Sequence, residues 1–580
     1  MGTVAARSPW TIGAAATAFL LPIAYSPSVY ATFWSPKAAV LLVAGSAGLT
    51  RLPALVRGEL RATTFAALTF VAVATLSTAL SPHPLGAIVG LYNWGTGLAF
   101  VVCLVGVWAL GVAADRDDPL VTRALVLGCA VSAGVGLTQA LIDLPFPALA
   151  EQGRATGLAG NAVHLGTVAC IGLAICAWRD ALPLWVGLGG ITWFIAATQV
   201  SGTRTALVVA IALAIGLGWL RWRRGIVLVL AATSLGFLLG STLASHAGFT
   251  TATARATDER ALAAASGGGV RVRFEVWAYA RHAITERPVV GHGPGRFRAA
   301  TSADRTLAVV QAEGPAAIYS DAHNLIVEHL VTTGALGAAA LSVWLVLAVR
   351  RARGVLLWAG GAGLALATMQ PQSVGTTPLY LLALGTAVAA ARPPSRSPSE
   401  ARRRGVLTGA AIGAGVVLAL TVLVGDVALL RARDSLDVDQ ARRADLLLRP
   451  WPKPATIRAR AHAFVALQTP DPAARRAAEA RALYWRRVAA QRDPTDPEGW
   501  FLLADDERAA GMLEQAAAHY QRALVHDPFH VAAMRRLADM AVNAGDRLAA
   551  LQPLERIQAV VPSPALTEEI GELRSYQPSA

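Results

Sequence analysis

The chain predicts an all-α, polytopic membrane protein that ends in a soluble helical domain, and two observations lead there. Apolar runs close to bilayer length recur through residues 1–428, and from residue 429 the composition turns to Ala, Arg, Asp and Glu with helical periodicity. The overall balance agrees. With 54% hydrophobic and 15% charged residues and a mean hydropathy of +0.47, the polar side chains are too few to cover an ordinary soluble surface.

Taken in order, the runs read as spans at roughly 10–30, 36–50, 62–81, 90–113, 121–142, 162–178, 182–200, 205–222, 225–246, 323–349, 354–370, 377–391 and 405–428, about 12–13 transmembrane helices. Arg7 precedes the first run, which reads as an uncleaved signal-anchor. With a cytoplasmic N-terminus, the inward connections hold Arg51, Arg57, Arg61, Arg116, Arg123, Arg179, Arg221, Arg223, Arg224, Arg350, Arg351, Arg353, Arg392, Arg396, Arg402, Arg403 and Arg404. The short outward ones hold only Lys37, Arg154 and Arg204. This is the positive-inside asymmetry, and it supports the helix count because one missed span would reverse every later loop. It places a large loop, 247–322, and everything after 428 outside the cytoplasm of a cytoplasmic (inner) membrane. Arg154 and Arg204 stand where topology does not need arginine.

A net charge of +14 would suggest nucleic acid in a soluble domain, but here much of the arginine serves orientation, so no nucleic-acid partner is expected and the partner surface is the lipid bilayer. Cys103, Cys129, Cys170 and Cys176 all lie in apolar segments without metal or disulfide spacing and read as small core residues.

In the domain 429–580, Trp500, Leu503, Ala504, Ala516, Tyr520, Ala523 and Pro528 recur 34 residues later as Met534, Leu537, Ala538, Ala550, Leu554, Ile557 and Pro562. That is the tetratricopeptide period, in which small residues let two helices pack and proline closes the unit. Ala489 and Pro494 fit the end of a preceding, less regular unit. Such a stack offers a surface for a protein partner or substrate and carries no chemistry of its own.

Chemistry is expected where the greasy part of the chain turns polar, at 271–337. His323 stands where the large loop re-enters an apolar helix and can act as a base near neutral pH. Arg273 begins an amphipathic segment, 273–287, and Arg204 opens another helix; two guanidiniums at a membrane surface can hold a diphosphate. The run GHGPGRF at 291–297, with His292, Gly293 and Gly295, reads as a tight turn whose N–H groups can approach a phosphate or sugar. No Walker lysine or strand-to-helix context makes it a nucleotide loop. Acidic residues are scarce in the spans, with no paired carboxylates and no HExxH; Glu275 and Glu328 are candidate helpers.

Four motifs, RATGLAGNAVHLG at 154–166, SGTRTA at 201–206, RFEVWAYA followed by RPVVGHGPGRF at 273–297, and HNLIVEHLVTTGALG at 323–337, resemble the O-antigen ligase and polymerase superfamily, which includes bacterial O-oligosaccharyltransferases. The resemblance covers about residues 150–390. It implies a GT-C-like glycosyltransferase that moves a glycan, with inversion and without metal or cofactor, from a polyprenyl (undecaprenyl) diphosphate carrier to an acceptor hydroxyl on the extracytoplasmic face. The acceptor would be a lipid, a protein or a cell-wall glycan. Arg204 and Arg273 would match the diphosphate-binding arginines and His323 the catalytic histidine. Arg154, Asn161, His164, Trp277, His292, Gly293, Gly295 and Asn324 would line the substrate site. His164 departs from the family, whose members commonly carry asparagine there.

A polymerase joining repeat units on the same carrier is the runner-up. A small-anion transporter predicts an internal duplication of the spans, which the chain does not display, and a membrane-anchored scaffold would not need thirteen spans.

Overall fold

The computed structural model describes residues 7–142 apart from 94, then 150–151, 153–178, 180–221, 225–249, 270–388 and 398–575. Of the loop cations, Arg179, Arg223, Arg224, Arg392 and Arg396 lie outside the described residues, as do residues 250–269 of the expected large loop. The described residues form 27 helices, and 77% of the structure is helical.

The membrane part opens with α1 (Pro9–Ile23), α2 (Trp34–Leu49), the short α3 (Leu52–Leu55), α4 (Arg61–Ala79), the short α5 (Pro84–Val89), α6 (Leu98–Ala113) and α7 (Leu120–Gln139). Two-residue strands β1 (Ala150–Glu151) and β2 (Arg154–Ala155) pair antiparallel before α8 (Ala162–Cys176), α9 (Leu184–Val200), α10 (Arg204–Arg221) and α11 (Ile226–His246). The polar stretch forms α12 (Val270–Glu286), α13 (Phe297–Thr301), α14 (Leu307–Glu313) and α15 (Leu325–Thr332). Then come α16 (Gly334–Arg351), α17 (Val355–Ala367), α18 (Thr377–Ala387) and the long α19 (Pro398–Ser435).

All thirteen expected spans fall on helices, as apolar backbone in lipid must when every N–H and C=O has to be satisfied within its own segment. Five of them, α4, α7, α11, α16 and α19, are long and apolar enough to cross a membrane, and α1, α6, α8, α9, α10, α17 and α18 are shorter apolar helices. The inner helices meet through small residues. A methyl group on Gly48 of α2 would fall 1.8 Å from the Gly106 carbonyl oxygen of α6, so these backbones touch. Buried Trp108 and Trp344 pack edge to face at 5.7 Å, tying α6 to α16. Helices α11 and α19 bury only 22% and 11% of their apolar windows against 44% for α4, α7 and α16, which puts them at the periphery.

One expected span is corrected. The run 323–349 is not one helix: α15 stops at Thr332, and α16 starts at Gly334, whose φ is +68°. The break is fixed from outside, since Ala335 N–H donates to Pro288 O and a methyl on Gly334 would meet the Val289 carbonyl carbon at 2.3 Å. His323 therefore does not open the helix. It precedes the cap Asn324, whose Oδ1 accepts from Ile326 and Val327 N–H.

The stretch has its own core. Val272, Val276, Tyr279, Ala280 and Ala283 form one face of α12 and pack with Phe297 of α13, Val309 of α14 and Ala322 and Val331 around α15. Arg273 and Trp277 sit one residue along from that face, at its margin.

Helix α19 runs through residue 428 without a break, so the expected boundary falls inside a helix. Beyond it follow α20 (Val438–Leu447), α21 (Pro452–Gln468), α22 (Pro472–Arg492), α23 (Pro497–Ala509), α24 (Leu513–His526), α25 (Val531–Asn543), α26 (Arg547–Val560) and α27 (Pro564–Ser575). The pair α23–α24 starts at 497 and 513 and the pair α25–α26 at 531 and 547, an offset of 34 in both cases (531 − 497, 547 − 513). Trp500, Leu503, Ala504, Ala516, Tyr520 and Ala523 form one core, and Met534, Ala538, Ala550, Leu554 and Ile557 the next.

The break before α16 makes a stability prediction. Gly334→Ala forces an alanine into left-handed backbone against Val289 and should destabilise the protein by at least about 1–2 kcal/mol. Gly361→Ala, in α17 with nothing within 4 Å of the added methyl, should be neutral or mildly stabilising. Thermal unfolding of the solubilised variants measures both, and equal melting temperatures would contradict the assignment.

Candidate functional site

Five helix beginnings, those of α2, α8, α10, α12 and α15, converge on one place. Gln139, the last residue of α7, accepts from Thr156 and Gly157 N–H at 3.0 Å through Oε1 and so fixes the segment that leads from β2 into α8. Arg154 reaches from β2 to the turn before α10, donating from Nε to Ser201 O at 2.9 Å and from Nη2 to Thr203 Oγ1 at 3.0 Å. Thr203 Oγ1 in turn donates to Ala162 O at 3.0 Å. The starts of α8 and α10 are thereby laced together, with Asn161 capping α8 through its bond from Val163 N–H and Arg204 as the first residue of α10.

Arg273 of α12 lies within electrostatic reach of Arg204, and burial together with that neighbouring charge weakens its hold on its proton. Neither guanidinium forms an ion pair with a carboxylate among the described residues. Lys37 enters from α2, its ammonium donating to the carbonyls of Ala24 and Leu158, each at 2.7 Å. His164 of α8 is in the field of both Lys37 and His323, and its Nε2 is buried with no hydrogen-bond partner. Arg204 and Arg273 thus lie in each other's field with no carboxylate ion pair among the described residues, beside Lys37 and the imidazoles of His164 and His323.

His323 sits in left-handed backbone, φ +52°, a strained position for a residue with a side chain. Its own contacts explain the conformation: its N–H donates to Asp321 Oδ1 at 2.6 Å, and its ring Nδ1 lies 3.1 Å from Asp321 O. A carbonyl only accepts, so Nδ1 carries the hydrogen and the neutral ring keeps its lone pair at Nε2. Burial, with Arg273 adding to it, lowers the ring's pKa to about 4, leaving it unprotonated at neutral pH. Tyr319 packs edge-on against the ring at 5.4 Å, and Trp277 Nε1 donates to Ala322 O at 2.8 Å, fastening the His323 turn to α12.

Both carboxyls nearby hold their protons more tightly than usual. Asp321 is fully buried; burial raises its pKa to about 7, against the bonds it accepts from His323 and Gln372 N–H. Glu328, which accepts from Ala322 N–H, is held well above the carboxylate range by burial and by Asp321. The fold thus brings together two carboxyls, those of Asp321 and Glu328, that their sequence spacing did not reveal as neighbours. Glu275 takes no part in these contacts.

The glycine turn stands apart from the arginine pair and His323. His292 and Gly293 N–H donate to Val331 and Thr332 carbonyls at 3.0 and 2.8 Å, and His292 Nε2 donates to Ala283 O at 2.9 Å. Those N–H groups therefore serve the junction of α12 with α15 rather than a ligand. Gly295 borders a cavity of about 300 Å³ that also meets Tyr92, Arg296, Trp451 and Asp493, and that includes none of Arg204, Arg273 and His323.

Residues 189–342 match the family model described as O-Antigen ligase. No curated protein matches the chain. The matched region holds Arg204, Arg273, Trp277, His292, Gly293, Gly295, His323 and Asn324; the motif with Arg154, Asn161 and His164 lies before it. The match and the apolar helices together mark a multi-pass membrane protein of glycosyltransferase-like character.

Lys37, Tyr319 and Asp321 escaped the sequence reading as site residues. A signal for Lys37 existed: the three cations assigned to the short outward connections, Lys37, Arg154 and Arg204, are the ones that gather around the starts of α8 and α10.

Two neighbouring guanidiniums with no carboxylate partner among the described residues should take up an anion. Purified protein should bind inorganic diphosphate in calorimetry, and Arg204→Ala or Arg273→Ala should each weaken binding about tenfold to a hundredfold. Binding unchanged in both variants would remove the pair as an anion site.

Proposed function

We propose that this protein is a membrane glycosyltransferase of the O-antigen ligase type, moving a glycan from a polyprenyl diphosphate carrier to an acceptor hydroxyl outside the cytoplasm. The observation that carries the reading is the pair Arg204 and Arg273, in each other's field and without a carboxylate ion pair among the described residues, set beside a histidine with its Nε2 lone pair available. A diphosphate leaving group supplies the missing negative charge, and cationic donors already in place stabilise it as it departs.

In the step itself, the acceptor oxygen bonds to the anomeric carbon from the face opposite the diphosphate. The anomeric carbon–oxygen bond breaks, and its electron pair leaves with the polyprenyl diphosphate, held by Arg204 and Arg273. His323 Nε2 takes the hydroxyl proton. The products are the glycoside, with inverted configuration, and free polyprenyl diphosphate. Trp277 and Asn324 hold the turn that presents His323. Arg154 acts through the turn before Arg204, and Asn161 and His164 form the start of α8 beside it.

The proposed topology places the His323 turn and the helices after α19 on the extracytoplasmic side of the inner membrane. The offset of 34 supports reading the C-terminal helices as tetratricopeptide-type repeats. Ligation to a separate acceptor and stepwise polymerisation share this chemistry, and product size separates them.

The test is transfer of a labelled polyprenyl-diphosphate glycan by the purified protein. His323→Ala should lower kcat by about 10²- to 10⁴-fold, and Arg204→Ala and Arg273→Ala by about 10²-fold or more. Normal transfer by all three variants would refute the assignment. The pH profile adds a second expectation. Protonation removes the base, so kcat/KM should hold down to about pH 5 and fall as the pH drops through the histidine's pKa of about 4. Bound diphosphate favours the protonated ring, so kcat should decline at a higher pH than kcat/KM. A kcat/KM limb at pH 6.5 or above would show a solvated histidine instead.

A further inference from the structure

The segment between α12 and the His323 turn is gripped by the C-terminal helices at their corners. Arg296 Nη2 donates to Asp493 Oδ1 at 3.1 Å and to Thr495 Oγ1 at 2.6 Å, and Arg298 Nη2 to Asp496 Oδ1 at 3.2 Å. Ser302 Oγ donates to His526 O at 2.8 Å, and Arg305 pairs with Asp527. Farther along, Gln311 Nε2 donates to Ala559 O at 3.0 Å. Asp493 and Asp527 are 34 residues apart (527 − 493), so equivalent corners of successive units, each an Asp-Pro, hold successive points of the segment.

The Arg305–Asp527 pair is closed to solvent, with side chains 0% and 3% exposed. Arg305 also donates from Nη1 to Pro315 O at 3.2 Å and Ala317 O at 2.9 Å. Two residues after Ala317 comes Tyr319, which packs against His323 and lies in the field of Arg273. On its inner side the segment is fastened to α12 through Phe297 and Val309. A fork of five donors suits this task, because one guanidinium can bind a carboxylate and two carbonyls together.

We infer that the repeat region clamps the O-antigen ligase region from within the chain: Asp527 and Arg305, with Asp493 and Arg296 one unit earlier, are positioning residues that fix segment 296–317 and so set Tyr319 and His323 against Arg273. These corners are filled by the protein's own loop and do not serve a separate acceptor. The clamp rests on the proposed function only where transfer is the readout.

Hydrogen–deuterium exchange on the full-length solubilised protein tests the clamp without any reaction. Asp527→Asn and Arg305→Lys should speed exchange in 305–323 and leave α7 and α8 unchanged, while Glu569→Gln, which breaks the exposed pair with Arg535, should change neither. Transfer supplies the second readout. The groups facing His323 are Arg273 from α12, His164 from α8, and Tyr319 and Asp321 from its own turn, so loosening the segment admits water to the ring. The acid limb of kcat/KM should then move up from about 4 toward the ordinary histidine value of about 6.5, and kcat should fall on the order of tenfold to a hundredfold. A merely less stable protein would lose activity equally at every pH.

Wild-type exchange in 305–323 in both variants, or an unmoved acid limb, would overturn the clamp. Should Asp527→Asn lose protection throughout the spans, Asp493→Asn decides, because it must loosen 296–304 alone. Failure of the wild-type protein to transfer any glycan would refute the proposed function and leave exchange to decide the clamp.

Discussion

Several cationic side chains are gathered around the starts of α8 and α10, and nearly everything around them depends on how they are kept there. Like charges a few ångströms apart repel by several kcal/mol at the effective dielectric of a protein, and the usual remedy is a carboxylate. Lys37 is held instead by neutral acceptors, the Ala24 and Leu158 carbonyls. A carbonyl answers the hydrogen-bonding need of a cation without cancelling its charge. The two acids close to His323 are buried to the point where they hold protons far more tightly than usual. The starts of α8 and α10 add their own positive ends to the field.

Much of this was legible in the sequence because membrane burial is a blunt constraint. An apolar run of bilayer length has few alternatives to a helix, so all thirteen runs fall on helices. The exception, 323–349, shows the limit. Hydropathy continues across Gly334, whereas the break there depends on contacts with Pro288 and Val289 more than forty residues earlier. Periodicity within a segment cannot register a clash with another one.

The site divides in the same way. Arg204, Arg273 and His323 were visible as polar residues with no topological reason to be where they are, and the fold brings Arg273 within reach of both of the others. His292 and Gly293 looked equally suitable as residue types, but their N–H groups are spent on Val331 and Thr332. Glycine in a turn signals close approach without naming what approaches. Asp321 and Glu328 are seven positions apart, and only the left-handed turn at His323 and the cap at Asn324 fold the chain so that one carboxyl feels the other.

The 34-residue register of Asp493 and Asp527 has a consequence for how such a chain can diversify. Repeat arrays ordinarily gain or lose whole units anywhere along their length, because each unit meets only its neighbours. The C-terminal helices, proposed as such repeats, are also read from the side by a loop whose arginines are nine positions apart. Removing the unit between the two aspartates, or slipping a residue into it, would put the wrong corner opposite Arg305. Lengthening therefore has one free direction, past the corner at Ala559, where added units would meet no loop residue fixed by the existing ones. The near end of these helices is held to the geometry of the His323 segment, and the far end is the part left open to change.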